Sequence, residues 1–173
     1  MIFLRHPTPD IARGICYGRL DMGVARSADK EIMRALNRLK SVSSLYTSPA
    51  KRCMALAEAV AKAHQLAPIA EERLLELDFG TWEGRPWRQI NRAESDRWAS
   101  DPINEHPPEG ESFAEMSARV CAALAEMPED AVVVTHAGPI RAARMAYLGI
   151  SFDAAFSEPV PYASPIQIQR EAA

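Results

Sequence analysis

Residues 131–135 read Ala-Val-Val-Val-Thr and are followed at once by His136-Ala137-Gly138-Pro139. An unbroken apolar, β-branched run of this length suits a strand covered on both faces, which is the situation of a parallel sheet between helical layers. The Gly-Pro pair closes the strand and predicts a helix over 140–148. Residues 1–4 repeat the pattern, since an apolar run stops at Arg5-His6-Pro7 and the proline excludes helical continuation. A third run, 45–47, ends in Ser48-Pro49 and predicts a helix over 50–64. Three strands thus end in basic or imidazole residues or lead straight into a helix that carries them.

Ile32, Leu36 and Leu39 mark one amphipathic helix, and Phe113, Met116, Val120, Leu124 and Met127 mark a second. Apolar strands alternating with such helices predict an α/β fold, a three-layer α/β/α sandwich with a mainly parallel central sheet. Ligands of such folds collect at the carboxyl ends of the strands, where Arg5, His6 and His136 lie. At 173 residues, 47% hydrophobic and 25% charged, the chain is expected to form a single domain over 1–173. Segment 100–111, rich in Pro, Asp and Glu, is expected to be a surface loop serving as lid or rim.

Several function classes are disfavoured. No apolar run approaches the roughly 20 residues of a bilayer span, and Arg5 interrupts the first stretch before a secretory core forms. A cytoplasmic protein without a membrane partner is expected. A net charge of −3 argues against a nucleic-acid partner, because binding by broad electrostatics needs a surplus of cations. Cys16, Cys53 and Cys121 form no CxxC and are expected to be reduced thiols; His6, His64, His106 and His136 show no HxxxH spacing, so neither metal nor cofactor is expected. Neither heptads nor an apolar edge fixes an oligomeric state.

Arg5-His6 is weak evidence alone, since a lone histidine is more often packed or superficial than catalytic. A second histidine, His136, directly after another buried strand strengthens it. Arg52 stands at the start of a helix, where free N–H groups and the dipole attract anions, and its guanidinium grips two phosphate oxygens at once; a solvated surface arginine is the ordinary alternative. The stretch Glu76-Leu77-Asp78-Phe79-Gly80-Thr81-Trp82-Glu83-Gly84 offers carboxylates for acid–base work, or is simply a turn with incidental acids.

Arg5-His6, Ser48-Pro49-Ala50-Lys51-Arg52, the segment from Glu76 to Gly84, Pro108-Glu109-Gly110-Glu111-Ser112 and Thr135-His136-Ala137-Gly138 occur in the order typical of histidine phosphatases. The chain resembles that phosphoglycerate mutase-like superfamily over nearly its whole length. Within it, Gly14-Ile15-Cys16-Tyr17-Gly18-Arg19-Leu20-Asp21 looks like the matching segment of α-ribazole phosphatases, which act in cobalamin biosynthesis. The resemblance implies a metal-independent phosphomonoesterase in which His6 is phosphorylated, Arg5, Arg52 and His136 surround the phosphoryl group, and Glu76 transfers protons. A small phosphate ester is the implied partner. Neighbouring guanidinium charges disfavour imidazolium, keep His6 nucleophilic and stabilise the transition state.

Pro7 stands where the family usually has glycine, and the family's loop asparagine is missing among Pro9, Asp10, Ile11 and Ala12. Thr8, or the backbone near Tyr17 and Gly18, is expected to replace those phosphate contacts; with Arg5, Arg52, Glu76, His136 and Ala137 they make up the expected substrate-binding set. A mutase would need segments beyond this core, and phosphohistidine protein phosphatases generally lack the Glu76 segment, so hydrolysis of an alkyl phosphoester is preferred. No Cys-phosphatase loop or GxxxxGK[ST] occurs. The expected substrate is α-ribazole 5′-phosphate, with a broad sugar or metabolite phosphatase as runner-up and a non-catalytic phosphate-binding protein as the reading from another class. Trp82, Trp87 and Trp98 offer stacking surfaces for a base, but Trp87, Ile90 and Trp98 also fit one helix face as packing residues.

Overall fold

The computed structural model describes residues 1–169; the last four positions of the unit expected over 1–173 lie outside the described residues. Five strands form one sheet, β1 (Ile2–Arg5), β2 (Leu45–Thr47), β3 (Ile69–Ala70), β4 (Val132–Thr135) and β5 (Pro165–Gln167), in the order β3-β2-β4-β1-β5. All neighbours are parallel except β1 and β5. The described helices are α1 (Ala28–Arg38), α2 (Lys51–His64), α3 (Arg92–Ser100), α4 (Phe113–Ala125), α5 (Ala137–Leu148) and α6 (Phe152–Ser157).

Alternation along the strands divides the core. Leu4, Val132 and Val134 face α1 and α2, packing with Leu39, Cys53, Leu56 and Val60. Phe3 and Val133 point to the other side, where Met116, Val120 and Leu124 of α4 meet Ile140 and Ala143 of α5. The chain is therefore the expected three-layer sandwich. A third cluster, Cys16, Trp82 and Ile90 with Phe79 and Trp98 against it, lies under the loops around the carboxyl edge.

Three sequence expectations change in detail. β1 runs to Arg5, and α5 begins at Ala137 rather than after Pro139. Proline is accommodated there because the first turn of a helix has no internal acceptors for its N–H groups. Trp87 and Trp98 do not share a helix: residues 87–89 form a 3₁₀ turn, and Asn91 starts α3 by accepting a hydrogen bond from Ala93 N–H. The packing reading of the tryptophans nevertheless holds, since the Trp87 and Trp98 rings stack at 6.3 Å and Trp82 is fully buried against both. Past the end of α3, the segment through residue 111 lacks regular structure and ties to the Glu76–Gly84 stretch through Thr81 N–H to Pro108 O and Glu111 N–H to Asp78 O.

Candidate active site

Strand register brings the two histidines together. Arg5 pairs with Thr135 across the parallel β1–β4 ladder, so the next residue of each strand, His6 and His136, emerges at the same edge. Their ring centroids are 5.2 Å apart, and both side chains are buried. The adjacency that sequence left open is supplied by β4 lying between β1 and β2.

His6 Nδ1 lies 2.7 Å from the Pro7 carbonyl oxygen. A carbonyl only accepts, so Nδ1 carries the proton and the neutral ring keeps its lone pair on Nε2. Burial, and after it the charge of Arg52, lowers the His6 pKa to about 3; the Pro7 hydrogen bond opposes them, and Arg5 adds a smaller lowering. Pro7 thus lacks an N–H, yet its carbonyl sets the tautomer a nucleophile requires. His136 is likewise held well below its ordinary pKa, by burial first and then by His6 and Arg52. Its Nε2 is 2.8 Å from Ser48 Oγ.

Arg52, in the first turn of α2, is fully buried, which removes the solvated-surface alternative. Its Nη1 and Nη2 donate to the carbonyls of Leu20 and Gly18 at 2.8 and 2.5 Å, while Nε has no partner. Arg5 donates Nη1 to Val160 O, lies 3.9 Å from the Tyr162 ring centre, and also has an unpartnered Nε. Neither guanidinium has a carboxylate within ion-pair distance among the described residues. Burying a cation without an acidic partner costs several kcal/mol, and Arg52 is fully buried while Arg5 is half-buried, so the two guanidinium groups beside two neutral imidazoles and a helix N-terminus form a site suited to an anion.

Glu76 reaches the same edge from the loop before the short Gly80–Trp82 turn. Its Oε1 accepts from Gly138 N–H at 3.1 Å and from Leu77 N–H at 3.0 Å. Gly138 is required by this approach, because a Cβ there would stand 2.2 Å from Oε1. Arg119 of α4 holds the loop in place, donating to the carbonyls of Arg73, Leu75 and Glu76 at 2.7, 2.8 and 3.0 Å and pairing with Glu111. On the other side, Glu83 accepts from the N–H groups of Arg19, Leu20 and Phe79, which fixes the loop whose carbonyls carry Arg52.

The remaining expected residues play other parts. Thr8 gives both its N–H and its hydroxyl to Glu31 at 2.8 Å, so it retains no donor for a phosphate oxygen, contrary to expectation. Gly18 contributes the carbonyl that orients Arg52, and it must be glycine because a Cβ would meet Leu77 O at 1.9 Å. Tyr17 hydroxyl is 3.3 Å from that of Tyr162, and its ring is 5.6 Å from the Arg52 guanidinium. Ala137 opens α5 beside the site and is buried. Ser48 and Tyr162 are the neighbours that sequence reading missed. Ser48 directly follows β2 just as His6 follows β1, so the same strand-end rule finds it. Tyr162, 5.5 Å from the His6 ring, arrives through a single bridge to Arg5 that no local pattern announces.

Comparison with known proteins agrees with this geometry. The family model described as the histidine phosphatase superfamily (branch 1) matches residues 1–172. Phosphoserine phosphatase 1 of Hydrogenobacter thermophilus is 31% identical over 144 residues, covering 77% of this chain and 68% of that protein. The 2,3-bisphosphoglycerate-dependent phosphoglycerate mutase of Thermoplasma acidophilum is 26% identical over 174 residues, covering 98% and 86%. Among solved structures, the alpha-ribazole phosphatase from Shigella flexneri aligns with a TM-score of 0.85 at 19% identity, covering 98% of this chain and 95% of that one; at that identity the likeness is one of fold.

Proposed function

The chain belongs to the histidine phosphatase superfamily, and on that premise we propose that it is a metal-independent phosphomonoesterase, a single catalytic domain that carries the phosphoryl group on His6. The observation that carries this reading is the pairing of a neutral His6 with two guanidinium groups that have no acidic partner. His6 Nε2 attacks phosphorus, the bond to the ester oxygen breaks, and Glu76 gives its proton to the departing alkoxide. Water then attacks the phosphohistidine, Glu76 takes the water's proton, and the P–N bond breaks to release phosphate. Arg5 and Arg52 face the phosphoryl oxygens and neutralise charge as it develops, while the neutral His136 ring completes the pocket around them.

For the substrate, the Gly14–Asp21 segment supports α-ribazole 5′-phosphate, which would place the protein in the cytoplasm and in cobalamin biosynthesis. The relative from Hydrogenobacter supports phosphoserine as a second reading. Phosphate release is measured in chelator from α-ribazole 5′-phosphate, phosphoserine and a panel of sugar phosphates. A preference for one of them that His6→Ala abolishes and Glu76→Ala weakens supports the reading. No release from any substrate overturns it in favour of a phosphate-binding protein.

A further inference from the structure

A cavity of about 120 Å³ adjoins the phosphoryl site at Glu76, sharing that residue and Gly138 with it but none of Arg5, His6, Arg52 and His136. Glu76 and Gly138 form one of its walls, and Leu77, Phe79, Trp98, Phe113, Phe152 and Phe156 form the rest, apart from Pro102 and Arg141. These rings come from separate parts of the chain: the loop after Glu76, α3, α4 and α6. They are packed on one another, with Phe152 and Phe156 stacked at 4.1 Å, Phe113 edge-on to Phe152 at 5.1 Å, and Phe79 edge-on to Trp98 at 6.1 Å. Phe156 stays 39% exposed, so the cluster meets solvent instead of closing over itself.

We propose that this cavity is the leaving-group subsite and that it accepts an apolar aromatic ring attached to the esterified alcohol. The proposal rests on the phosphomonoesterase reading and deepens it. Continuity decides the occupant: the carboxylate that protonates the leaving oxygen is itself part of the cavity wall, so the alcohol portion of a bound ester extends from Glu76 into the cavity. Size agrees, since an apolar cavity of roughly 150 Å³ holds a benzene ring when fully closed, and this one is slightly smaller but open on one side. The mostly apolar walls reward a ring more than serine's ammonium or a sugar's hydroxyls, since Glu76, Arg141 and Trp98 alone bring polar side-chain groups to the lining. Arg141 stands one turn along α5 from Gly138, on the same helix face. Its guanidinium lies 4.4 Å from the Phe156 ring centre and its Nε has no partner. It supplies a donor at the cavity edge for a nitrogen or oxygen on the ring system.

The test compares benzyl phosphate with ethyl phosphate, two alkyl esters that differ in the ring and little in leaving-group reactivity. The wild-type protein is expected to favour benzyl phosphate in kcat/KM by about ten-fold, mainly through KM, as burial of an apolar ring requires. Phe156→Ala, at an exposed position where truncation spares the core, is expected to bring that ratio toward one. A parallel titration follows tryptophan fluorescence with benzylphosphonate and ethylphosphonate, which bind without turnover. Ring preference in both assays supports the subsite. Ring-selective binding without hydrolysis of either ester supports the subsite and overturns the hydrolase reading. Hydrolysis with equal kcat/KM for the two esters, or a ring preference that Phe156→Ala leaves intact, overturns the subsite and spares the hydrolase.

Discussion

His6 and His136 are imidazoles that the fold keeps neutral, and this has a consequence for stability. Both hold fewer protons in the folded than in the unfolded chain wherever the pH lies below the ordinary histidine value of 6.5. Stability therefore rises with pH up to about 6.5 and is lost as pH falls from there toward 3, with a limiting slope of about one proton per histidine. Urea titrations in phosphate-free buffer are expected to show this slope, and His6→Gln to reduce it by about half. Gly138 gives a second prediction at this scale. Gly138→Ala places a Cβ against Glu76 Oε1 and within 3.0 Å of Met116 Sδ, so the carboxylate must move. Turnover of an alkyl phosphate is expected to fall by about 10² or more, the usual worth of a placed general acid. An aryl phosphate, whose leaving group needs less protonation, is expected to lose much less; steady-state kinetics on the two esters checks this.

At the scale of elements, β1, β2 and β4 were legible because their apolar β-branched or aromatic runs stop at Pro7, at Pro49 and at the His136-Ala137-Gly138 start of α5, and each delivers a site residue. β3 and β5 were not legible: Ile69–Ala70 is an exposed two-residue edge strand, and β5 begins at a proline, so neither shows alternation. The periodicity of Trp87, Ile90 and Trp98 misled because their shared cluster is built from two segments divided at Asn91. α4 is the element that ties Glu76 down through Arg119, and its start is fixed by a capping box in which Ser112 Oγ accepts from Glu115 N–H and the Glu115 carboxylate accepts from Ser112 N–H. Ser112→Ala is expected to cost about 1 kcal/mol of unfolding free energy, measured by denaturant titration.

On the scale of the whole molecule, the sheet's carboxyl edge collects contributions from segments more than 150 residues apart, as Arg5 bonding to Val160 illustrates. Order along the chain revealed the strand ends, Ser48 among them, but not Tyr162 as a neighbour of His6, because that contact comes from a single bridge to Arg5. The same edge stores uncompensated positive charge, so an anion stabilises the folded state. Phosphate or vanadate at a hundred times its Kd is expected to add about 2.7 kcal/mol, or roughly 5–10 °C in Tm for a chain of this size. Arg52→Lys, which cannot keep both carbonyl contacts and a two-point grip on phosphate, is expected to lose most of that shift in a thermal melt. The measurement nearest the central claim is to trap the phosphorylated protein. The chain is mixed with a radiolabelled aryl phosphate, quenched in alkali, where phosphohistidine survives, and the label is located by peptide mass spectrometry. The account predicts acid-labile label on His6 and none in His6→Ala; hydrolysis without label on His6, or undiminished turnover by His6→Ala, would contradict it.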